Sequence, residues 1–82
     1  MAEFHPTGRQ LAAARTLAGL TQAAVAEAAR ISVPTLKRME ASEGPAVGMA
    51  NNVEAVRRAL ENAGVELLSE NGGGAGVRLA KK

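Results

Sequence analysis

The side chains of this sequence that could do chemistry are hydrogen-bond donors and cations, and they crowd into one short run. Between Thr21 and Glu40 the chain places Gln22, Arg30, Ser32, Thr35, Lys37 and Arg38, with Val33 and Pro34 set among them. Carboxamide, hydroxyl, ammonium and guanidinium groups at this density suit noncovalent grip on phosphate oxygens and base edges. Covalent chemistry lacks its parts. The chain has no cysteine and one histidine, His5, and no Ser or carboxylate pair stands at a workable spacing from a base. A metal at His5 would need several carboxylates around it. The sequence reads as a non-enzyme with no metal, no cofactor and no small-molecule ligand.

Those donors must be positioned, and the residues between them say how. Thr21 is an N-cap and Gln22 opens a short helix, with Val25, Ala26 and Ala29 on one face. Ile31 falls in a tight turn. Ser32 is a second N-cap, and Leu36 and Met39 form the inward stripe of the helix that follows. Pro34 fits the first turn of that helix, where its missing N–H is not needed. Ala26 sits at the crossing of the two helices, where only a small side chain permits close approach. This spacing predicts a helix-turn-helix whose second helix is turned outward.

The rest of the chain supports that pair. Residues 1–6 read as a flexible arm. Thr7 and Gln10 form a capping box for a first helix carrying Leu11, Ala14 and Leu17, and Gly19 stops it in a left-handed conformation. The connector from Glu40 to Asn51 contains Gly44-Pro45 and cannot be one helix. Asn51 and Glu54 offer an N-cap and its N3 partner for a fourth helix, with Val53, Val56, Leu60 and Ala63 inward, Arg57 and Arg58 off the stripe, and Gly64 at the end. From Val65 the period changes to alternation, a glycine-rich run intervenes, and Val77-Arg78-Leu79 follows. This reads as a β-hairpin. The glycine run has no G-K-[ST] ending and no following helix, so it reads as a hairpin tip rather than a phosphate cradle. A lone hairpin is barely stable in water, so it must pack on the helices or pair with a twin. Leu68 alternates away from Val65 and Leu67, which favours a second subunit. Val65, Leu67, Leu68, Val77 and Leu79 are therefore the expected dimerisation residues. The expected division is an arm at 1–6, a DNA-binding domain at 7–64, and a hairpin with a basic tail at 65–82.

Composition bounds these readings. Eighty-two residues make one small domain, and with Phe4 as the sole aromatic the core must be built from Ala, Leu, Val, Ile and Met. Such contacts bury little area each, at about 25 cal/mol per Å², so a partner subunit is expected. The charge of +2 is only mildly basic, but its distribution matters more than its sum. Arg30, Lys37 and Arg38 lie in or beside the outward helix, and Arg78, Lys81 and Lys82 load the tail. The lack of cysteine suits a reducing cytosol. The N-terminal residues contain no signal-peptide core, and the longest uncharged stretch, from Thr16 to Ala26, is too short to span a bilayer. The expected location is cytoplasmic, at the nucleoid.

From about Gln10 to Leu60 the chain resembles the small helix-turn-helix regulators of the xenobiotic-response-element (XRE) family, related to lambdoid phage repressors and Cro. The resemblance rests on the GLTQ opening at Gly19–Gln22, on Val25, Ala26, Ala29, Ile31, Leu36 and Met39, on the Ile31-Ser32-Val33 turn and on Glu40. In repressors of this type an arginine seven residues before the motif glutamine pairs with a glutamate ending the recognition helix. Arg15 and Glu40 hold those positions, which implies a partly buried structural ion pair. One position departs from the pattern. Arg30 stands where the family has a turn glycine, in a conformation that costs a side chain about 1–2 kcal/mol. Either the turn is rebuilt, or a charge near the phosphates offsets the strain.

The resemblance implies a mainly α, lambda-repressor-like four-helix DNA-binding domain followed by the β-hairpin. It implies a sequence-specific regulator of transcription, a bacterial or phage repressor binding double-stranded DNA as a homodimer on an inverted repeat. By position, Gln22 should lie against a phosphate or a base edge. Ser32, Val33, Pro34, Thr35, Lys37 and Arg38 should face the major groove, with Lys37 favoured as a base reader and Arg38 as a phosphate contact. Thr21, Arg30 and Asn51 are further expected phosphate contacts. The rival reading is a protein-interaction module on the same fold, as in antitoxins, with the hairpin and tail as the partner-binding segment.

Overall fold

Three of the four helices begin where a short polar side chain takes over an orphan amide. In the computed structural model, which describes residues 5–69 and 73–80, the order is α1 (Gly8–Ala18), α2 (Gln22–Ala29), α3 (Val33–Glu40), α4 (Ala50–Asn62), β1 (Val65–Leu68) and β2 (Gly76–Leu79). Thr7 and Gln10 close the expected capping box on α1, at 3.0 and 3.1 Å. The Thr21 hydroxyl accepts from the Ala24 amide at 3.0 Å, and the Ser32 hydroxyl from the Thr35 amide at 3.2 Å. Gly19 ends α1 in the left-handed region, with φ 75°.

The fourth helix differs from the sequence reading. Asn51 is not its cap: Met49 holds that position with no side-chain bond, and Asn51 lies exposed inside the first turn. The Glu54 carboxylate is engaged instead by Arg57 and Arg58, at 2.7–3.3 Å, so it does not reach back to an amide. Ala63 is the exposed C-cap rather than part of the stripe.

One core joins all six elements. Leu11 and Ala14, Val25, Ala26 and Ala29, Leu36 and Met39, Val56 and Leu60, and Val65 are all buried together. In α1 the inward stripe continues to Ala18 rather than Leu17, which is 42 % exposed. A step of four after a step of three keeps closer to the 3.6-residue turn.

The chain start is tied down at Pro6. That residue is buried, its carbonyl accepts from the Ala46 amide at 3.0 Å, and Thr7 bridges to Pro45. The expected flexible arm thus does not extend through Pro6. Residues 1–4, with Phe4, lie outside the described residues, as do residues 70–72, Lys81 and Lys82. Among the described residues Gly8 is the one glycine demanded by close approach, since a Cβ there would collide with the backbone of Met39 and Ser42.

The hairpin is antiparallel, pairing Val65 with Leu79, Glu66 with Arg78, Leu67 with Val77 and Leu68 with Gly76. Both strands lie against α1, and β1 also packs on α4. Val65 is 1 % exposed, and Leu67 and Val77 pack on the same core. Three of the five residues expected at a subunit interface therefore serve the subunit's own interior. Leu68 is half-buried, and Leu79 is 60 % exposed.

Candidate nucleic-acid interface

The outward helix is defined by what its neighbours bury. In α3, Leu36 and Met39 are wholly buried, while Lys37 and Arg38 between them are exposed. Neither cation has an ion-pair partner among the described residues. Pro34 sits in the first turn and is exposed with Ser32. The Ser32 and Thr35 hydroxyls lie 2.8 Å apart and hydrogen-bond each other. Val33 is only half available, because it packs partly on the core. Ser32, Pro34, Lys37 and Arg38 therefore share an open surface, with Thr35 half-covered at its edge.

The turn that delivers α3 keeps its family geometry without the glycine. Arg30 has φ 60° and ψ 44°, the only described non-glycine residue at positive φ. Its amide donates to Glu27 O at 3.1 Å and the Ile31 amide to Ala26 O at 2.9 Å, closing the last turn of α2. Of the two possibilities left by the sequence, a rebuilt turn is ruled out. The Arg30 side chain is exposed and lines, with Asn51, Glu54 and Arg58, an open groove between α2 and α4. Two of the three expected phosphate contacts, Arg30 and Asn51, thus meet at one place. Thr21, exposed, is at the opposite end of α2.

The far end of α3 is fixed by charge. Arg15 donates through Nε to Glu40 Oε2 at 2.8 Å and through Nη2 to Oε1 at 3.2 Å, as the resemblance implied. Its Nη1 donates to Leu20 O at 3.1 Å. Gln22 Nε2 also donates to Glu40 Oε1, at 3.0 Å. The carboxamide expected to meet DNA is therefore turned inward onto the ion pair.

This arrangement is an outward helix braced at both ends by a helix set across it. Residues 7–67 match the sequence model of a family described as a helix-turn-helix domain. The chain belongs to the helix-turn-helix family. No curated protein matches it. A helix-turn-helix domain is the DNA-binding module of regulators, and its second helix is the part that enters the major groove. In this member of the family α2 and α3 are the two helices of that motif. Among the described residues no helix is long and apolar enough to cross a membrane.

Sequence reasoning did not find the second task of Gln10. Besides capping α1, its Nε2 donates to Leu68 O at 2.7 Å and Gly76 O at 2.9 Å, pinning both strands of the hairpin to α1. The capping box used its carbonyl oxygen and left two N–H donors unassigned; that surplus on a residue next to the Leu11 stripe was the available signal.

Proposed function

We propose that this helix-turn-helix domain is a sequence-specific transcriptional repressor of the XRE type that binds an inverted repeat as a homodimer. The observation that carries the reading is the exposed Ser32, Pro34, Lys37 and Arg38 surface on a helix whose opposite side, Leu36 and Met39, is fully buried. A helix presented this way offers cations and apolar surface to a groove while its own position stays fixed. Lys37 reads a base edge, Arg38 grips a phosphate, and Pro34 with the half-covered Val33 meets thymine methyl groups. Arg30 and Asn51, at their shared groove, and Thr21, at the start of α2, take backbone phosphates.

One α3 spans too few base pairs for useful selectivity. Two copies on half-sites about 34 Å apart solve that problem. Leu79 and the half-buried Leu68 are the hairpin side chains left for the partner subunit. Such a domain represses by occupying the promoter.

Footprinting across the native locus tests binding, symmetry and spacing together. Two protected half-sites one helical turn apart are expected. Protection of a single asymmetric site would remove the dimer, and no protection of any duplex would remove the regulator. Co-purification of a stable complex with a second protein, without DNA binding, would favour the antitoxin-like alternative.

A further inference from the structure

Gln22 opens α2 at the place where a donor could reach DNA, yet its amide nitrogen is committed elsewhere. Glu40 is 8 % exposed, and its carboxylate takes two hydrogen bonds from Arg15 and one from Gln22. Arg15 comes from α1, Gln22 from the first residue of α2, and Glu40 from the last residue of α3. At the other end of the motif, α2 and α3 are joined covalently through Arg30 and Ile31. Beyond the shared apolar core, the open ends of the two helices are closed by a side-chain hydrogen bond between them, Gln22 to Glu40, with Arg15 holding the acceptor in place.

We propose that Gln22 is a positioning residue that sets the angle between α2 and α3, and hence the reach of α3 into the groove, rather than a contact to DNA. Helices joined at one end by a short turn can splay at the other. A 3.0 Å hydrogen bond to a charged, nearly buried acceptor opposes that splay. The bond to Glu40 takes one of the two N–H donors of Nε2 and turns the carboxamide toward the ion pair. Drawing the carboxamide off Glu40 toward a phosphate would leave the brace open. This inference deepens the reading of α3 as the recognition helix and rests on it.

Three variants of the full chain separate the two roles: Gln22→Leu, which keeps bulk without a donor, Gln22→Lys, which restores one, and Gln22→Ala. With Gln22→Leu, duplex affinity is expected to fall about tenfold for specific and altered sites alike, the scale of one lost bond to a charged group. Every phosphate seen by ethylation interference in the wild type should remain in the footprint. Gln22→Lys should restore the bond to Glu40 and with it part of the affinity, while its charge, left over because Arg15 already neutralises Glu40, adds to the salt slope in either role. If Gln22 touched a phosphate, Gln22→Leu and Gln22→Ala would delete one phosphate from the footprint. That result overturns the proposal.

A measurement without DNA keeps it independent of the repressor reading. Gln22→Leu should lower the melting temperature, and Gln22→Lys should recover it. Equal melting temperatures for all four proteins would overturn the brace even if DNA binding were strong. Absent DNA binding by the wild type, with the melting pattern as expected, would instead reject the function and keep the brace.

Discussion

Arg15 meets Glu40 side-on, with Nε at 2.8 Å and Nη2 at 3.2 Å from the two carboxylate oxygens, tying the last residue of α3 to the last turn of α1. The Arg15 side chain is 20 % exposed and that of Glu40 7 %, so the pair is largely out of water. Its net contribution against an apolar replacement is small, because desolvation offsets the attraction. Removing one partner is another matter, since the survivor keeps its charge in a site built for two.

Glu40→Ala is therefore expected to cost about 3 kcal/mol, the low end for a broken buried pair, because Arg15 retains Leu20 O and some solvent. In a domain of this size that lowers the melting temperature by more than about 10 °C. Thermal unfolding followed by circular dichroism reads it directly. A shift of a degree or two would mean that the pair does not brace the fold.

Gln10→Ala should act on the hairpin as much as on α1. The substitution removes half of the capping box and strips the donor from Leu68 O and Gly76 O. A loss of about 2 kcal/mol is expected from the cap and the unsatisfied carbonyls together. Amide hydrogen exchange distinguishes this from a plain capping defect. Protection should fall across Val65–Leu68 and Gly76–Leu79 by more than across α2, and uniform loss over all elements would contradict the tether.

Much of this architecture was legible in the sequence, and the limits have physical causes. Thr7, Thr21 and Ser32 announce three helix starts because a capping hydroxyl acts within three residues of itself. Gly19 and the Leu36–Met39 stripe are equally local. Asn51 and Leu17 misled for different reasons. For Asn51 the rival was itself legible, since Arg57 and Arg58 stand three and four residues after Glu54 and claim its carboxylate; the choice between Leu17 and Ala18 depends on where β1, β2 and the other helices lie. The Arg15–Glu40 pair was reachable only through family resemblance. Gln22 shows the limit most clearly: its type and place fit a DNA contact, and the bond to Glu40 depends on how α2 and α3 cross.

Arg30→Gly separates strain from charge. At φ 60° the arginine occupies the left-handed region at a cost of about 1–2 kcal/mol, which glycine avoids while adding some unfolded-state entropy. A net gain of up to about 1 kcal/mol in stability is expected by urea unfolding. The same variant should bind DNA more weakly at every sequence, with the salt slope reduced by about one unit, if Arg30 faces a phosphate. Greater stability with unchanged binding would leave the departure from glycine without a DNA role.

The α4 network predicts an acid-side dependence. Hydrogen bonds from Arg57 hold the Glu54 carboxyl below its ordinary value; burial opposes this, and the charges of Arg57 and Arg58 reinforce it. A carboxyl depressed in the folded state contributes stability that is present above its unfolded value, about 4.3, and is lost as the pH falls through the folded one. Glu54 is 40 % exposed, so screening keeps the contribution below about 1 kcal/mol. Glu54→Gln should lower the melting temperature by a few degrees at pH 7, and the difference should close in acid below that window. A gap that persisted at low pH would point to packing rather than charge.

Lys37 and Arg38 carry the sharpest division of labour. Both are exposed on α3 with no ion-pair partner among the described residues, so neither substitution should disturb the fold. Lys37 lies between the buried Leu36 and the exposed Arg38, in the last turn of α3. Lys37→Ala is expected to cost about 1–3 kcal/mol at the preferred site and to relax preference at one base pair, while affinity for altered bases at that pair changes far less. Arg38→Ala should weaken all duplexes alike and lower the salt slope by about one unit. Binding titrations over a panel of single-base operator variants, at two salt concentrations, resolve both patterns. Exchanged patterns would swap the two roles on the same helix, whereas intact binding by both variants at moderate salt would mean that α3 is not the surface that meets DNA.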